Sequence, residues 1–326
     1  MTSVAGERPR ILLDCDPGHD DAVAIVLAAH VSDLVGIVTV AGNAPLAATT
    51  RNAMVMRDLV GLDVPVHSGA ARPLVAPPRS ASYVHGESGL DGADLPEPST
   101  PLDGVDGVSF IVDTCRANEG LWLVPIGPLT NIALAIRQAP DLLDRIAGIS
   151  LMGGGRFGNR TPAAEFNLWA DPHAARTVFE AFDRVDHASD VGSPRLIMAG
   201  LHVTHQFQVT RARVAETRAL PGVLAATLGD LFDFFSAAYR SNHVEGAMEG
   251  AALHDPLAVL AVTHPHLFTS VDRHVAVESD GELTAGMTVI DERTLTDRRP
   301  ANCSVLETVD ADAAFALVLD AIRACA

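Results

Sequence analysis

The sequence predicts an α/β fold: a mostly parallel central sheet flanked by helices, with its functional groups at the carboxyl ends of the strands. Three observations carry this prediction. Short, nearly continuous apolar runs alternate with longer helical patterns through the first half of the chain, as expected of strands buried on both faces. Polar clusters fall at the ends of those runs, where open α/β sheets gather their ligands. Apolar residues make up 48% of the 326 positions, ample for a core on both sides of a sheet.

Taken in order, the strand candidates are RILLDCD, LVGIVTVAG, VPVHSG, LWLVPIG and IAGISLMGG. Helical patterns separate them at DDAVAIVLAAH, LAATTRNAMVMRDLVG and LTNIALAIRQAPDLL. A Pro-rich segment over residues 72–102, containing HGESGLDG, interrupts the alternation; a loop of this length is functional, mobile or a plain surface excursion. The helix PHAARTVFEAF then leads through a polar insertion at residues 183–194 to the strand RLIMAGLHV. Helical patterns dominate residues 210–262, followed by strands at VDRHVAVES and AGMTVID and a capped helix over 310–325. No linker or internal repeat divides the chain, so residues 1–326 read as one domain with residues 1–9 flexible.

Composition narrows the function. The formal net charge is −18, and all 23 basic residues are arginine. Such a chain is repelled by phosphate backbones and anionic membranes, which points away from nucleic acid and membrane partners and toward a small molecule. With no lysine, Schiff-base chemistry and a Walker A loop are excluded. Cys15, Cys115, Cys303 and Cys325 are far apart, with no CxxC pair, as in a reduced protein. The opening MTSVAGERPR has no apolar signal core, and no apolar run is long enough for a bilayer, so a cytoplasmic protein is expected.

The densest chemistry lies in ILLDCDPGHDDAVAI, with four aspartates between residues 14 and 21. Asp14 and Asp16 alternate at a strand end, Pro17-Gly18 turns the chain, and Asp20-Asp21 begin a helix. Carboxylates at a helix start complement its dipole, which accounts for one or two of the four. A hard divalent cation accounts for all of them. Other polar groups follow at strand ends: Asn43 in VTVAGN, then Asn159, Glu165 and Asn167 in GGGRFGNRTPAAEFN, then His254 and Asp255 in ALHDPLAV. Singly, each reads equally well as a turn, a cap or a structural histidine.

Together, the strings DCDPGHDDA, VAGN, VPIGPLTNIALA, MGGG…GN.TP.AEFN and HDPLAV resemble the nucleoside hydrolase family, in particular its inosine-uridine-preferring or pyrimidine-preferring members. The matches run in order from Ile11 to Asp255. The resemblance implies a Rossmann-like nucleoside hydrolase fold and a calcium ion held by Asp16, Asp21, Asp255 and the main-chain carbonyl of Ile126. It assigns Asp20, Asn43, Asn159, Glu165 and Asn167 to the ribose hydroxyls, and puts His85 in a loop that closes over the nucleoside. Asp14 is left in a supporting role. Amides and carboxylates suit a neutral polyol, offering directional donors and acceptors.

The implied reaction is hydrolysis of the N-glycosidic bond of uridine, cytidine or inosine to ribose and free base, through an oxocarbenium-like transition state. Asp16 is the implied general base toward a water activated by the cation, and His254 the acid for the departing base. Tyr239 and His243 in FDFFSAAYRSNH are the candidates to face the base, with helix packing an equal reading of Tyr239. Purine-specific relatives set a tryptophan just before the last metal aspartate, where this chain has His254; Trp122 and Trp169 read as core. Members are commonly homodimers or homotetramers. GLHVTHQ departs from the family by placing His202 where aspartate is common, and the insertion at 183–194 lengthens the connection before it.

Two rivals are weaker. A phosphotransferase of the haloacid dehalogenase type shares the Asp-x-Asp strand end but needs a later lysine, which is absent. A calcium-dependent, non-catalytic nucleoside- or ribose-binding protein could afford to lose Asp16 or Asp21, and both are present.

Overall fold

A computed structural model describes residues 8–185, 195–242 and 248–325. His243 and most of the 183–194 insertion lie outside the described residues.

The first strand, β1 (Arg10–Cys15), is buried from Ile11 onward. Its side chains alternate between two apolar cores, as a period of two requires. Ile11, Leu13 and Cys15 enter one core, while Leu12 enters the other. The chain then forms α1 (His19–Val31), β2 (Asp33–Thr39), α2 (Leu46–Val60) and β3 (Val66–Ser68). After the long Pro-rich excursion come β4 (Trp122–Pro125), β5 (Gly148–Met152) and β6 (Arg195–Ala199).

β1 pairs in parallel with both β2 and β4, Asp14 lying opposite Val38 on one side and Pro125 on the other. Strand order therefore runs outward from β1 in two directions: β3-β2-β1 one way, β4-β5-β6 the other. The order reverses at β1, and ligands collect beyond such a switch point. Helices α1, Pro256–Thr263 and Ala311–Ala324 cover one face, and helices Gly107–Ala117, Thr130–Gln138 and Pro172–Phe182 the other. The predicted α/β architecture is present.

The C-terminal part differs from expectation in two places. VDRHVAVES was expected as one strand, but it divides at His274. Phe268–Arg273 joins the main sheet as its antiparallel edge, whereas Val275–Val277 pairs with Thr288–Ile290 in a separate ribbon. Cys303–Val309, which no local pattern marks, lies between that edge and β6, parallel to β6. The GLHV end of RLIMAGLHV is a short helix, Leu201–Thr204.

The Pro-rich segment carries only one short helix, Ser82–His85, over residues 72–102. It is tied to α2 by Arg57, whose guanidinium is buried and donates to Asp103 and to the carbonyls of Thr100 and Pro101. Asp58 accepts from the backbone of Ser99 and Thr100 alongside. No described helix is long and apolar enough to cross a membrane.

Candidate active site

β1 ends at Cys15, and Asp16 begins the connection to α1. Two glycines make room for its carboxylate. A Cβ at Gly42 would lie 2.0 Å from Asp16 Oδ2, and one at Gly127 would lie 2.3 Å from Oδ1. Those glycines sit in VAGN and VPIGP, at the ends of the strands on either side of β1. Asp16 Oδ2 accepts the Asn43 backbone N–H at 2.6 Å, while Oδ1 is buried with no partner.

Asp21 closes the start of α1 by accepting from the backbone N–H groups of Gly18 at 2.9 Å and Asp16 at 3.1 Å. This is the capping role that its position predicts. The Asn43 amide donates to Asp21 Oδ2 and to the carbonyl of Asp16, locking the two loops together. Asp20 reaches the other way and accepts the backbone N–H of His254 at 3.3 Å, across 234 positions of chain. Asp255 follows, with Pro256 opening its helix.

One carboxylate oxygen from each of Asp20, Asp21 and Asp255 lies within 4.8 Å of the others. The sequence reading set Asp16, Asp21 and Asp255 at the cation and Asp20 on a ribose hydroxyl; here Asp20 is the third member of this trio and Asp16 lies beside it. Burial raises the proton affinity of all four: Asp20 is pushed up to about 8, and Asp16 and Asp255 rise well above the carboxylate range, first by desolvation and then by their neighbours' charge. Desolvation likewise lifts Asp21, against several backbone N–H groups that lower it. Asp14 points into the opposite core, where Oδ1 accepts from Asn131 Nδ2 at 2.8 Å and Oδ2 has no partner.

A cluster of buried carboxylates with an orphaned oxygen, and no lysine or arginine hydrogen-bonded to it among the described residues, has the donor set of a hard cation site. The fit to a divalent ion is chemical: oxygen ligands only, high negative charge, and no soft donor. The Ile126 carbonyl faces the same cavity and accepts from Asn167 Nδ2 at 2.9 Å.

Above this floor a narrow cavity is lined by Asp20, Asn43, His85, Ile126, Asn159, Glu165, Asn167, Tyr239, His254 and Asp255. Asp16 and Asp21 are fully buried beneath it. Glu165 does structural work as well, since it accepts from the backbone N–H groups of Gly154, Asn167 and Leu168 and caps helix Phe166–Ala170. Desolvation pushes it up to about 7 against those hydrogen bonds. Asn159 Oδ1 accepts from the Phe166 backbone at 3.0 Å, which joins the two halves of the GN…EFN motif.

On the opposite wall, His254 Nδ1 is 2.7 Å from Thr204 Oγ1, and Nε2 is 2.6 Å from Tyr239 Oη. Tyr239 is therefore no mere packing residue: its ring packs on Phe235 and its hydroxyl meets the histidine. Sequence reasoning missed Thr204, together with the apolar lining of Tyr83, Met152, Phe166 and Phe235. A signal existed for Phe235, which stands four positions before Tyr239 and so shares its helix face. His202 lies outside the cavity lining, half-buried near Arg156 and Glu307. Trp122 is core, as expected, but Trp169 is only partly buried and carries the Arg79 and Arg160 guanidinium groups over its ring.

Comparison with known proteins gives a consistent result. The model of the family described as "Inosine-uridine preferring nucleoside hydrolase" matches residues 11–316. The pyrimidine-specific ribonucleoside hydrolase RihA of Enterobacter sp. (strain 638) is 42% identical over 305 residues, covering 92% of this chain and 93% of its own. The RihA of Escherichia coli (strain SMS-3-5 / SECEC) is 41% identical over 318 residues, with coverage of 96% and 98%. Among solved structures, a purine-preferring ribonucleoside hydrolase from Gardnerella vaginalis superposes with a TM-score of 0.86 at 30% identity, covering 97% of this chain and 98% of that one. An inosine-guanosine nucleoside hydrolase gives 0.85 at 26% identity, with coverage of 97% and 99%.

Proposed function

The chain belongs to the inosine-uridine preferring nucleoside hydrolase family and is a ribonucleoside hydrolase, and on that premise we propose that it is a calcium-dependent hydrolase of pyrimidine ribonucleosides. The observation that carries the cation is the buried carboxylate trio Asp20, Asp21 and Asp255 on the floor of a cavity walled by sugar-binding residue types. The pyrimidine preference is supported by the RihA relatives, whose names specify it.

Asp21, Asp255 and the Ile126 carbonyl would hold the cation, with Asp16 or Asp20 completing the set. When bound, the ion supplies the positive charge that offsets the cluster and acidifies an attacking water. Asp16 Oδ1, buried and unpartnered, is the proton acceptor for that water. Asn43, Asn167 and Glu165 orient the ribose hydroxyls, and Asn159 and His85 close over them. The carboxylates stabilise the positive charge that develops as the C1′–N bond breaks and the C1′–O bond forms. The departing base must take a proton. His254 Nε2 already meets Tyr239, so the proton reaches the cavity through the tyrosine hydroxyl.

One sheet running from Arg10 to Val309 supports the single-domain reading. Four free cysteines fit the reducing cytoplasm, and a homodimer or homotetramer is expected on purification.

A ribose-release assay over a nucleoside panel tests the function. Uridine and cytidine should be cleaved faster than inosine, and exhaustive chelation should abolish turnover, with calcium restoring it. Calcium binding without turnover of any nucleoside would instead favour a binding protein. His254→Ala should slow natural nucleosides far more than ribosides with an activated leaving group; equal slowing would sink the acid assignment.

A further inference from the structure

Residues 79–85 run along the cavity, with Ala81, Tyr83, Val84 and His85 in its lining. The two ends of this stretch are held differently. Beyond His85, the buried Asn52 amide donates to the carbonyls of Ser88 at 2.8 Å and Pro17 at 3.0 Å. Before His85, the chain is tied mainly through exposed groups. The exposed Asn242 donates to the Tyr83 carbonyl at 2.9 Å, and the Ala81 N–H reaches the Asn43 carbonyl at 3.1 Å. Tyr83 itself is 43% exposed, which puts its ring at the mouth of the cavity.

Arg160 supplies the remaining tie. Its guanidinium lies 5.0 Å from the centre of the Tyr83 ring and 4.8 Å from that of Trp169, both within cation–π range. Arg79 repeats the contact at the start of the stretch, 3.8 Å over the Trp169 ring, with Nη1 donating to the Trp169 carbonyl. Neither arginine is ion-paired among the described residues, although the chain holds 41 acidic side chains. Trp169 is a fixed anchor: its N–H donates to the Glu165 carbonyl at 2.9 Å, and Glu165 caps the helix that carries it. Arg160 stands outside the cavity lining and directly follows Asn159, which lines it. It therefore joins the stretch bearing His85 to the motif bearing Asn159 and Glu165.

We propose that Arg160 is a positioning residue: steered by Trp169, its guanidinium packs on Tyr83 and holds the 79–85 stretch, with His85, over a bound nucleoside. The proposal rests on the reading of His85 as a residue that closes over the ribose. A cation–π contact at an exposed site changes an equilibrium about 2- to 5-fold. That is weak enough for the stretch to open in each turnover and strong enough to appear in KM.

Steady-state kinetics of the full-length, calcium-loaded protein test this. Arg160→Ala should raise KM for uridine about 2- to 5-fold, with kcat unchanged or higher because only the closed state is lost. In a Tyr83→Leu background, Arg160→Ala should change KM no further; in a Tyr83→Phe background, which keeps the ring, it should have its full effect. An unchanged KM in Arg160→Ala overturns the proposal. So does an equal effect in all three backgrounds, since Arg160 would then act on the substrate or the fold directly. Chymotrypsin cleavage after Tyr83, located by mass spectrometry, gives a readout without turnover. It should be faster in Arg160→Ala and no faster in Arg51→Ala, and an unchanged rate in Arg160→Ala counts against the proposal. Failure to cleave any nucleoside would remove the proposed function, while the cleavage rates would still decide whether Arg160 holds the stretch.

Discussion

Asp14→Asn isolates the cost of one buried carboxylate. Asp14 is 1% exposed, Oδ1 takes a single hydrogen bond from Asn131, and Oδ2 has none. Desolvation pushes it from 3.8 up to about 7, with the Asn131 bond opposing. The native state therefore binds a proton that the unfolded chain has released throughout this window. Its contribution is fully favourable below about pH 4 and is lost as pH rises through 7. A gap of roughly three units at 1.36 kcal/mol each amounts to about 4 kcal/mol of destabilisation by pH 8. Asparagine removes the charge and keeps an oxygen for Asn131, but it buries an unpaired N–H₂ worth about 1–3 kcal/mol. The variant should be more stable than wild type by about 1–3 kcal/mol at pH 8 and no more stable at pH 4. Urea unfolding from pH 4 to 8 in excess chelator measures this. Asp20 and Glu165 titrate in the same window, so the informative quantity is the difference between the two proteins. Parallel stability curves with no pH-dependent difference would refute the reasoning.

Calcium at about a hundred times its Kd should stabilise the fold by about 2.7 kcal/mol, seen as a higher melting temperature, and Asp255→Asn should remove most of that gain. A full shift in the variant would place the ion elsewhere. Glu165→Ala strips an acceptor from three backbone N–H groups and should cost about 1–3 kcal/mol in addition to lowering ribose release; a melting curve and the ribose assay separate the two effects. Arg57→Met unties residues 72–102 from α2 and should cost about 1.5–3 kcal/mol; limited proteolysis should then cut that segment faster, and an unchanged cleavage rate would show that other contacts hold it.

Several elements were legible because their signals are local. The apolar run before DCDPG, the Pro-Gly turn and the helix start of DDAVAI each lie within a few residues, and β1, the turn and α1 follow them. The helix expected over LTNIALAIRQAPDLL begins as predicted but stops at Gln138, because Pro140 disfavours a helical residue before it; the local apolar pattern ran past that break. Cys303–Val309 was not legible. Its place is set by pairing with β6 on one side and Phe268–Arg273 on the other, and no pattern within its seven residues reports those partners. The break at His274 is similar, since two unrelated sheets claim the two halves of one extended run.

By itself, the sequence determined the inventory: alternating buried strands and helices, oxygen-rich groups at strand ends, and residue types suited to a cation and a polyol. Only the tertiary structure decided how that inventory is shared out. It brought Asp255 to Asp20 and Asp21 with Asp16 beside them, and joined Tyr239 to His254 and His19 to His85. The physical reason is distance along the chain. Backbone preference and periodicity act over a few residues, whereas these contacts depend on which strand ends the parallel sheet gathers and on close approaches that Gly42 and Gly127 alone permit.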